Sequence, residues 1–423
     1  MNDTASPLLV GPPIDPPVPE LTVPDFVRRR LRERGAAPAI VDGVTGRRIG
    51  CDALDRMIGR CAAGLAARGF RPGDTLLVCA PNSPEWVIVA LGAMAAGGRV
   101  SGANFNYTPA ELGHQIRDAG ARIVFTLPAL ADAVRLAAAG SPCERIVVDG
   151  KAEGCLPLAE LLATEDAEPS PGTRPDDIAL LPYSSGTTGL PKGVMLTHRA
   201  IVSNVCQTLQ AVEWPAQAVT LAFLPMFHAM GFALTTLCAL AHGALLVTLP
   251  RFEPQSFLAA IATHRVTEMV VVPPVLQFIA AHPIVEQFDL GSLRHIGAGG
   301  ASSSAALEAK VSARLGRPCA QGFGMTEVVA VLTSGLTPRT YRAGSVGVPI
   351  PGTALRVVDP ASGRDLGRGE EGELWFRGPQ LFSGYLNNPQ ATASTLTPDG
   401  WIRTGDLGLV DADGFVFITD RLK

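Results

Sequence analysis

Short apolar runs alternate with segments of helical period along most of this chain. Asp74-Thr-Leu-Leu-Val-Cys-Ala80 is nearly all apolar and is closed by Pro81-Asn82-Ser83, the pattern of a strand buried on both faces. Residues 84–96 open Pro-Glu-Trp and are stopped by glycines 97 and 98, which predicts a helix. The unit recurs. Residues 122–126, 145–148, 178–181, 220–224, 244–249, 269–272 and 295–297 are further strand candidates with helices between them, including one over 304–315. Such alternation predicts an α/β fold of mostly parallel sheets covered by helices on both faces. After about residue 340 the texture changes. Residues 346–358, 372–377 and 415–419 are strands parted by Gly, Pro and Asp turns, which predicts a smaller strand-rich subdomain.

Bulk properties refine this picture. A length of 423 residues suggests about three domain-sized units, and 47% apolar residues supply ample core. A formal charge of -4 gives no electrostatic reason to expect a nucleic-acid partner. The eight cysteines are scattered without a C-x-x-C, which argues for reduced thiols in a cytoplasmic protein and against a structural zinc site. The N-terminus shows no secretory signal, and the six prolines in residues 1–20 read as part of an extended leader over 1–23. Residues 214–250 lack Asp, Glu, Lys and Arg altogether, yet Pro225, His228 and His242 interrupt them. A membrane span needs about 20 continuous apolar residues, so this stretch is read as buried strand, loop, helix and buried strand. The helix candidate 24–34 carries five arginines and is read as a solvated face.

The candidate chemistry begins at Tyr183-Ser-Ser-Gly-Thr-Thr-Gly-Leu-Pro-Lys-Gly193, directly after an apolar strand. Glycines let the backbone come close to a ligand, and successive N–H groups, hydroxyls and the Lys192 ammonium suit phosphate oxygens. The loop is not of the Walker type, since G-x-x-x-x-G-K is absent. Gly322-Phe-Gly-Met-Thr-Glu327 places an aromatic ring between two glycines, free to lie on a base, beside a hydroxyl and a hard oxygen ligand. Gly400-Trp-Ile-Arg-Thr-Gly-Asp-Leu-Gly408 sets a carboxylate in a glycine-flanked turn suited to vicinal ribose hydroxyls. Leu224-Pro-Met-Phe-His-Ala-Met-Gly-Phe232 holds one imidazole among large apolar groups, and Gly297-Ala-Gly-Gly-Ala-Ser302 admits a ligand close to the backbone. Each alone has an ordinary structural explanation as a turn or a core histidine.

Their order, ending in Asp420-Arg-Leu-Lys423, resembles the adenylate-forming superfamily of acyl- and aryl-CoA ligases, luciferases and adenylation domains. Within it, S-S-G-T-T-G-L-P-K-G, G-M-T-E and the run 372–386 are similar to coumarate-CoA ligases and related fatty acyl-CoA ligases. The resemblance implies two helix-flanked sheet subdomains over 24–340 and a distorted β-barrel over 341–419. It implies that Ser184, Ser185, Gly186, Thr187, Thr188, Gly189 and Lys192 hold ATP phosphates. Gly300, Ala301, Gly322, Phe323 and Gly324 would bound the adenine, Phe323 standing where Tyr is usual. Thr326 would contact the α-phosphate, Glu327 would ligate Mg²⁺, and Asp406 and Arg421 would bind the ribose. His228 would lie beside the acyl carboxylate, with Met230, Phe232, Gly299, Gly300 and Ala301 lining the acyl pocket, whose volume would also depend on Val275 and Phe278. Thr187, Lys192, His228, Thr326 and Glu327 are thereby the candidates for catalysis. Met230 replaces a Tyr typical of the coumarate ligases, which favours an apolar acyl chain or plain ring.

The implied reaction activates a small-molecule carboxylic acid, fatty or aryl, with ATP and transfers the acyl group to CoA as co-substrate. The family places a hinge at 420–423, at Lys423 itself, followed by a small domain carrying the adenylation lysine. The chain is accordingly expected to be the large N-terminal domain, poorly active alone, with the C-terminal domain missing. Two other readings fit the same motifs. One is an adenylation domain that loads a carrier protein; the other is a stand-alone nucleotide-binding module.

Overall fold

A computed structural model describes residues 8–184 and 191–422. The described residues form two nine-stranded sheets and one five-stranded sheet, with helices packed between and around them. The first sheet is built around the parallel strands Arg99–Gly102, Thr75–Cys79, Ala121–Thr126 and Arg145–Val148. The second runs parallel through Cys319–Phe323, His295–Ala298, Glu268–Val271, Val219–Ala222 and Leu245–Thr248 to Pro38–Asp42. The mixed α/β architecture with parallel-rich sheets is the one the alternation predicts.

Helix Pro84–Ala95 shows how local signals meet packing. The Ser83 hydroxyl accepts a hydrogen bond from the Trp86 N–H (3.1 Å), Pro84 sits in the first turn, and every residue from Pro84 to Met94 is buried. A helix with no polar face belongs between layers, and this one lies against the helix Cys51–Ala67. Trp86 packs on Phe232 with ring centroids 4.9 Å apart, and neither ring meets solvent. Trp86→Ala is expected to cost about 3–5 kcal/mol in urea unfolding.

The strand-rich part is an open antiparallel sheet in the order Leu8–Val10, Ala354–Val358, Gly372–Arg377, Ile402–Val410, Val416–Arg421. This corrects the barrel expectation for the described residues. The edge of Ala354–Val358, which closure would need, is taken by the N-terminal segment, with Leu8 opposite Arg356 and Val10 opposite Ala354. The proline-rich segment is thus stitched in: Gly11 N–H donates to Thr353 O (2.8 Å) and Gln210 Nε2 to Pro13 O (3.0 Å).

Helix Val23–Arg34 also departs from expectation. Arg28 is buried, bonded to Asp55 and Glu168, and Arg30 and Arg34 donate to the carbonyls of His242 and Gly243. The arginines tie the helix to its neighbours because their forked donors reach carbonyls and carboxylates that the apolar helices leave exposed at their ends. The span 214–250 folds as strand, loop, helix and strand, the helix being a π-helix over Met230–Leu237 that continues as Cys238–His242. Among the described residues, no helix is long and apolar enough to cross a membrane.

His198 carries a pH prediction. It is fully buried, its Nδ1 accepts from Val23 N–H (3.1 Å), and burial pushes its imidazole down to about 4. The unfolded chain binds a proton near pH 6.5 that the folded chain refuses until about 4, so stability falls with pH across that window. The loss amounts to about 3 kcal/mol. His198→Gln should flatten that slope in denaturant titrations at stepped pH.

Candidate functional site

Strand Lys192–Thr197 is the backbone of the phosphate-loop candidate. Ser184 stands opposite Lys192 and Tyr183 opposite Gly193, while the other flank of the strand pairs with Gly384–Tyr385. Ser185, Gly186, Thr187, Thr188 and Gly189 lie outside the described residues, as does Lys423. The two ends of the loop are held in a specific place. The Lys192 ammonium lies 5.2 Å over the Tyr385 ring, a cation–π contact. The Tyr385 hydroxyl donates to Glu327 Oε1 at 2.7 Å, and the Ser184 hydroxyl approaches the same oxygen at 3.4 Å. Burial, followed by the Glu327 carboxylate, raises the Tyr385 phenol and keeps it a donor.

Glu327 is positioned by a tight local fold. It lies in the single 3-10 turn Thr326–Val328, and its carbonyl accepts from Phe382 N–H at 2.8 Å. The turn ends at Val329 with φ 69° and ψ -69°, where Ala330 N–H donates back to Val328 O at 2.8 Å. This is a γ-turn at a β-branched residue, strained on its own and kept by complete burial. The same crossing explains Gly324: a Cβ there would sit 1.6 Å from the Ala330 carbonyl oxygen.

Beside this turn lies a cleft of about 430 Å³. Gly300, Ala301, Gly322, Phe323, Gly324, Asp406 and Arg421 all line it, so seven residues proposed from scattered motifs meet in one place. Asp406 is not in a turn, as the sequence suggested, but in the strand Ile402–Val410. Gly405 at φ 72° and a register slip after Leu407 distort that strand locally, so the glycines serve a bulge. Arg421 faces Asp406 across the pair, with Nε 3.4 Å from Oδ1. Burial raises the Asp406 carboxyl, and Arg421 opposes that shift. Neither Thr326 nor Glu327 is in the cleft wall, and Glu327 faces Ser184 and Tyr385 instead.

A second, apolar cavity of about 90 Å³ opens behind the first, lined by Met230, Leu234, Gly299, Gly300 and others. Gly300, Gly322, Phe323 and Gly324 line both spaces, so the two share a wall. Four expectations change here. Phe232 faces away into the core against Trp86, because the helix points Met230 and Leu234 at the cavity and turns Phe232 to the opposite side. Ala301 lines the nucleotide-sized cleft and not the cavity. Val275 and Phe278 are absent from its wall, Val275 being buried in the core behind the second sheet. His228 lies outside both spaces, in an exposed turn against the Phe227 ring (4.4 Å), where surrounding apolar walls still lower its imidazole.

The sequence reading missed Tyr385, whose only signal was a buried-type aromatic after a glycine. It also missed Trp214, Thr220, Glu268 and His295 around the apolar cavity. Glu268, a lone carboxylate heading an otherwise apolar strand, was the available signal.

Comparison with known proteins agrees with this geometry. The AMP-binding enzyme family matches residues 27–386. The chain is 37% identical over 412 residues to 4-coumarate–CoA ligase 3 of Oryza sativa subsp. japonica, covering 95% of this chain and 74% of that one. It superposes on the inhibitor-bound N-terminal domain of FACL13 from Mycobacterium tuberculosis with a TM-score of 0.86 at 28% identity, covering 95% of this chain and 100% of that chain. A long-chain-fatty-acid-CoA ligase from Archaeoglobus fulgidus gives 0.89 at 26% identity, covering 98% of this chain and 86% of that one. With the family model matched over most of the chain and a relative 37% identical across it, the chain belongs to the AMP-binding enzymes of the adenylate-forming superfamily.

Proposed function

We propose that this chain activates a carboxylic acid with ATP, giving an acyl-adenylate and pyrophosphate, and that the acyl group then passes to the thiol of CoA. The observation that carries the reading is the shared wall. A nucleotide in the larger cleft and an acid in the apolar cavity would meet across Gly300 and Gly322–Gly324, where no side chain beyond Phe323 intervenes. The acid's carboxylate oxygen attacks the α-phosphorus and pyrophosphate leaves. Such a step needs alignment and charge neutralisation and no protein nucleophile.

Each residue then has a role. Asp406 accepts from the ribose hydroxyls, with Arg421 beside it, and Phe323 offers its face to the adenine. Residues 185–190 and Lys192 are assigned to the phosphates, and Thr326 to the α-phosphate. Glu327 suits Mg²⁺ as a single carboxylate acting with substrate phosphates, since both hydrogen bonds described for it go to Oε1. Bound there, the ion would neutralise phosphate charge. Tyr385 and Ser184 hold the carboxylate in place for it. His228, two residues before the cavity-lining Met230, is the residue we assign to the acid's carboxylate.

Asp406→Ala is expected to raise the KM for ATP by about 10- to 100-fold with kcat less affected, measured by steady-state kinetics at saturating acid. His228 stays neutral through the neutral range because its imidazole lies below its ordinary value. The rate should therefore hold down to mildly acidic pH and change only below the usual histidine range, a limb that His228→Gln should remove. The central test is acid-dependent exchange of pyrophosphate into ATP over aromatic and aliphatic acids, followed by product analysis with CoA and with a pantetheine-bearing carrier protein. Exchange that ignores the acid would overturn the reading. Transfer to the carrier alone would replace CoA as acceptor.

A further inference from the structure

The inner end of the apolar cavity is polar. Thr220, Glu268 and His295 stand abreast on three neighbouring parallel strands, so their side chains share one face of the sheet. All three line the cavity, and Trp214 covers them from the preceding loop. His295 Nδ1 bonds Glu268 Oε2 at 2.8 Å, which fixes one oxygen of the carboxylate. Among the described residues, the other carboxylate oxygen, Glu268 Oε1, has no hydrogen-bond partner, and neither do Thr220 Oγ1 and Trp214 Nε1. Glu268 is 5% exposed and Thr220 2%. Buried polar atoms are normally paired, so three unpaired ones around one cavity point to a missing ligand group.

Their chemistry narrows that group. Glu268 Oε1 only accepts, Trp214 Nε1 only donates, and the Thr220 hydroxyl does either. A methyl group would leave all three unpaired, and a second carboxylate would be repelled by Glu268. An ammonium could serve Glu268 but has nothing to accept from Trp214. A hydroxyl satisfies both partners at once. The position also fits the far end of a bound acid. Gly299, which lines the cavity next to Gly300 of the shared wall, donates its N–H to Val271 O, three residues along the strand from Glu268. Three strand residues span roughly 10 Å.

We propose that Glu268, Thr220 and Trp214 form a recognition site for a hydroxyl group at the end of the acid opposite its carboxylate, with His295 as the positioning residue of Glu268. The inference rests on the acid-activating function proposed above and refines its substrate class to an apolar body with a distal hydroxyl, either phenolic or aliphatic.

Two matched pairs of acids test it: para-hydroxyphenylpropenoic against phenylpropenoic acid, and omega-hydroxyoctanoic against octanoic acid. Apparent affinities are read from acid-dependent pyrophosphate exchange and from calorimetric binding in the presence of ATP. The hydroxylated member of one pair should be favoured by at least about tenfold, since a site with buried polar groups rejects the analogue that leaves them unpaired. The pair showing the preference identifies the ring or the chain as the carrier of the hydroxyl. Glu268→Leu should abolish or invert the preference while retaining the deoxy acid. Should that variant fail to fold, Trp214→Phe keeps the ring, loses only the donor, and should still narrow the preference. Equal affinity within both pairs overturns the hydroxyl site and leaves acid activation standing. No response to any acid overturns both.

Discussion

Glu327→Gln is expected to lower acid-dependent adenylation by about 100- to 1000-fold, the range seen when one preorganised electrostatic group is lost at a reacting centre. The substitution keeps size and shape, and the amide oxygen still accepts from the Tyr385 hydroxyl, which now lies 2.7 Å from Oε1. It removes only the negative charge proposed to hold Mg²⁺. Structure and loss of function are therefore separable: the urea midpoint should stay near the parent's while the Mg²⁺ concentration for half-maximal exchange rises sharply. Tyr385→Phe makes the complementary cut. It leaves the charge but frees the carboxylate to turn, and about a tenfold loss is expected from one hydrogen bond to a charged group. An unchanged Mg²⁺ dependence in Glu327→Gln would remove this residue from the metal's coordination.

Gly324→Ala is expected to disable the site through the backbone. The added methyl would lie 1.6 Å from the Ala330 carbonyl oxygen and 2.6 Å from its carbon, and neither is a flexible atom that can swing away. Relief requires the γ-turn at Val329 to open, and that turn fixes Thr326 and Glu327 from behind. Overpacking of this kind costs about 3 kcal/mol, at the upper end of the usual range because backbone must move. Binding of an adenosine nucleotide, followed by calorimetry, should fall with stability. Ala301→Gly, on the same cleft but in an exposed position, should leave the unfolding midpoint within about 0.5 kcal/mol of the parent. A stable Gly324→Ala chain with normal nucleotide affinity would show that the crossing is looser than described.

Much of this protein is written in its residue pattern. Buried parallel strands carry their signal in every residue, so 75–79, 121–126 and 145–148 could be placed within a residue or so of their observed bounds. Helix Pro84–Ala95 was equally plain, since Ser83, Pro84 and the following glycines punctuate it chemically. The glycine-rich segments stood out for a related reason. Glycine, hydroxyl and carboxylate clusters are unfavourable inside packed elements, and of the described residues proposed for nucleotide binding all but Ser184, Lys192 and Thr326 line one cleft.

What the pattern left open depended on direction and closure. Phe232 and Met230 are two residues apart and equally apolar, and only the turn of the helix decides that Met230 meets the cavity while Phe232 meets Trp86. The prolines of the N-terminal segment foretold an extended chain, but not that Leu8–Val10 would take the edge of Ala354–Val358 and keep that sheet open. The arginines of 23–34 looked solvated because sequence carries no record of the carboxylates and carbonyls that long-range packing brings to Arg28, Arg30 and Arg34. Glu268, Thr220 and His295 are far apart along the chain and become a single polar floor only through parallel strand register. Local chemistry determines which segments turn and which extend. Contacts across tens to hundreds of residues decide which faces share a space, and that sharing joins the polar cleft to the apolar cavity.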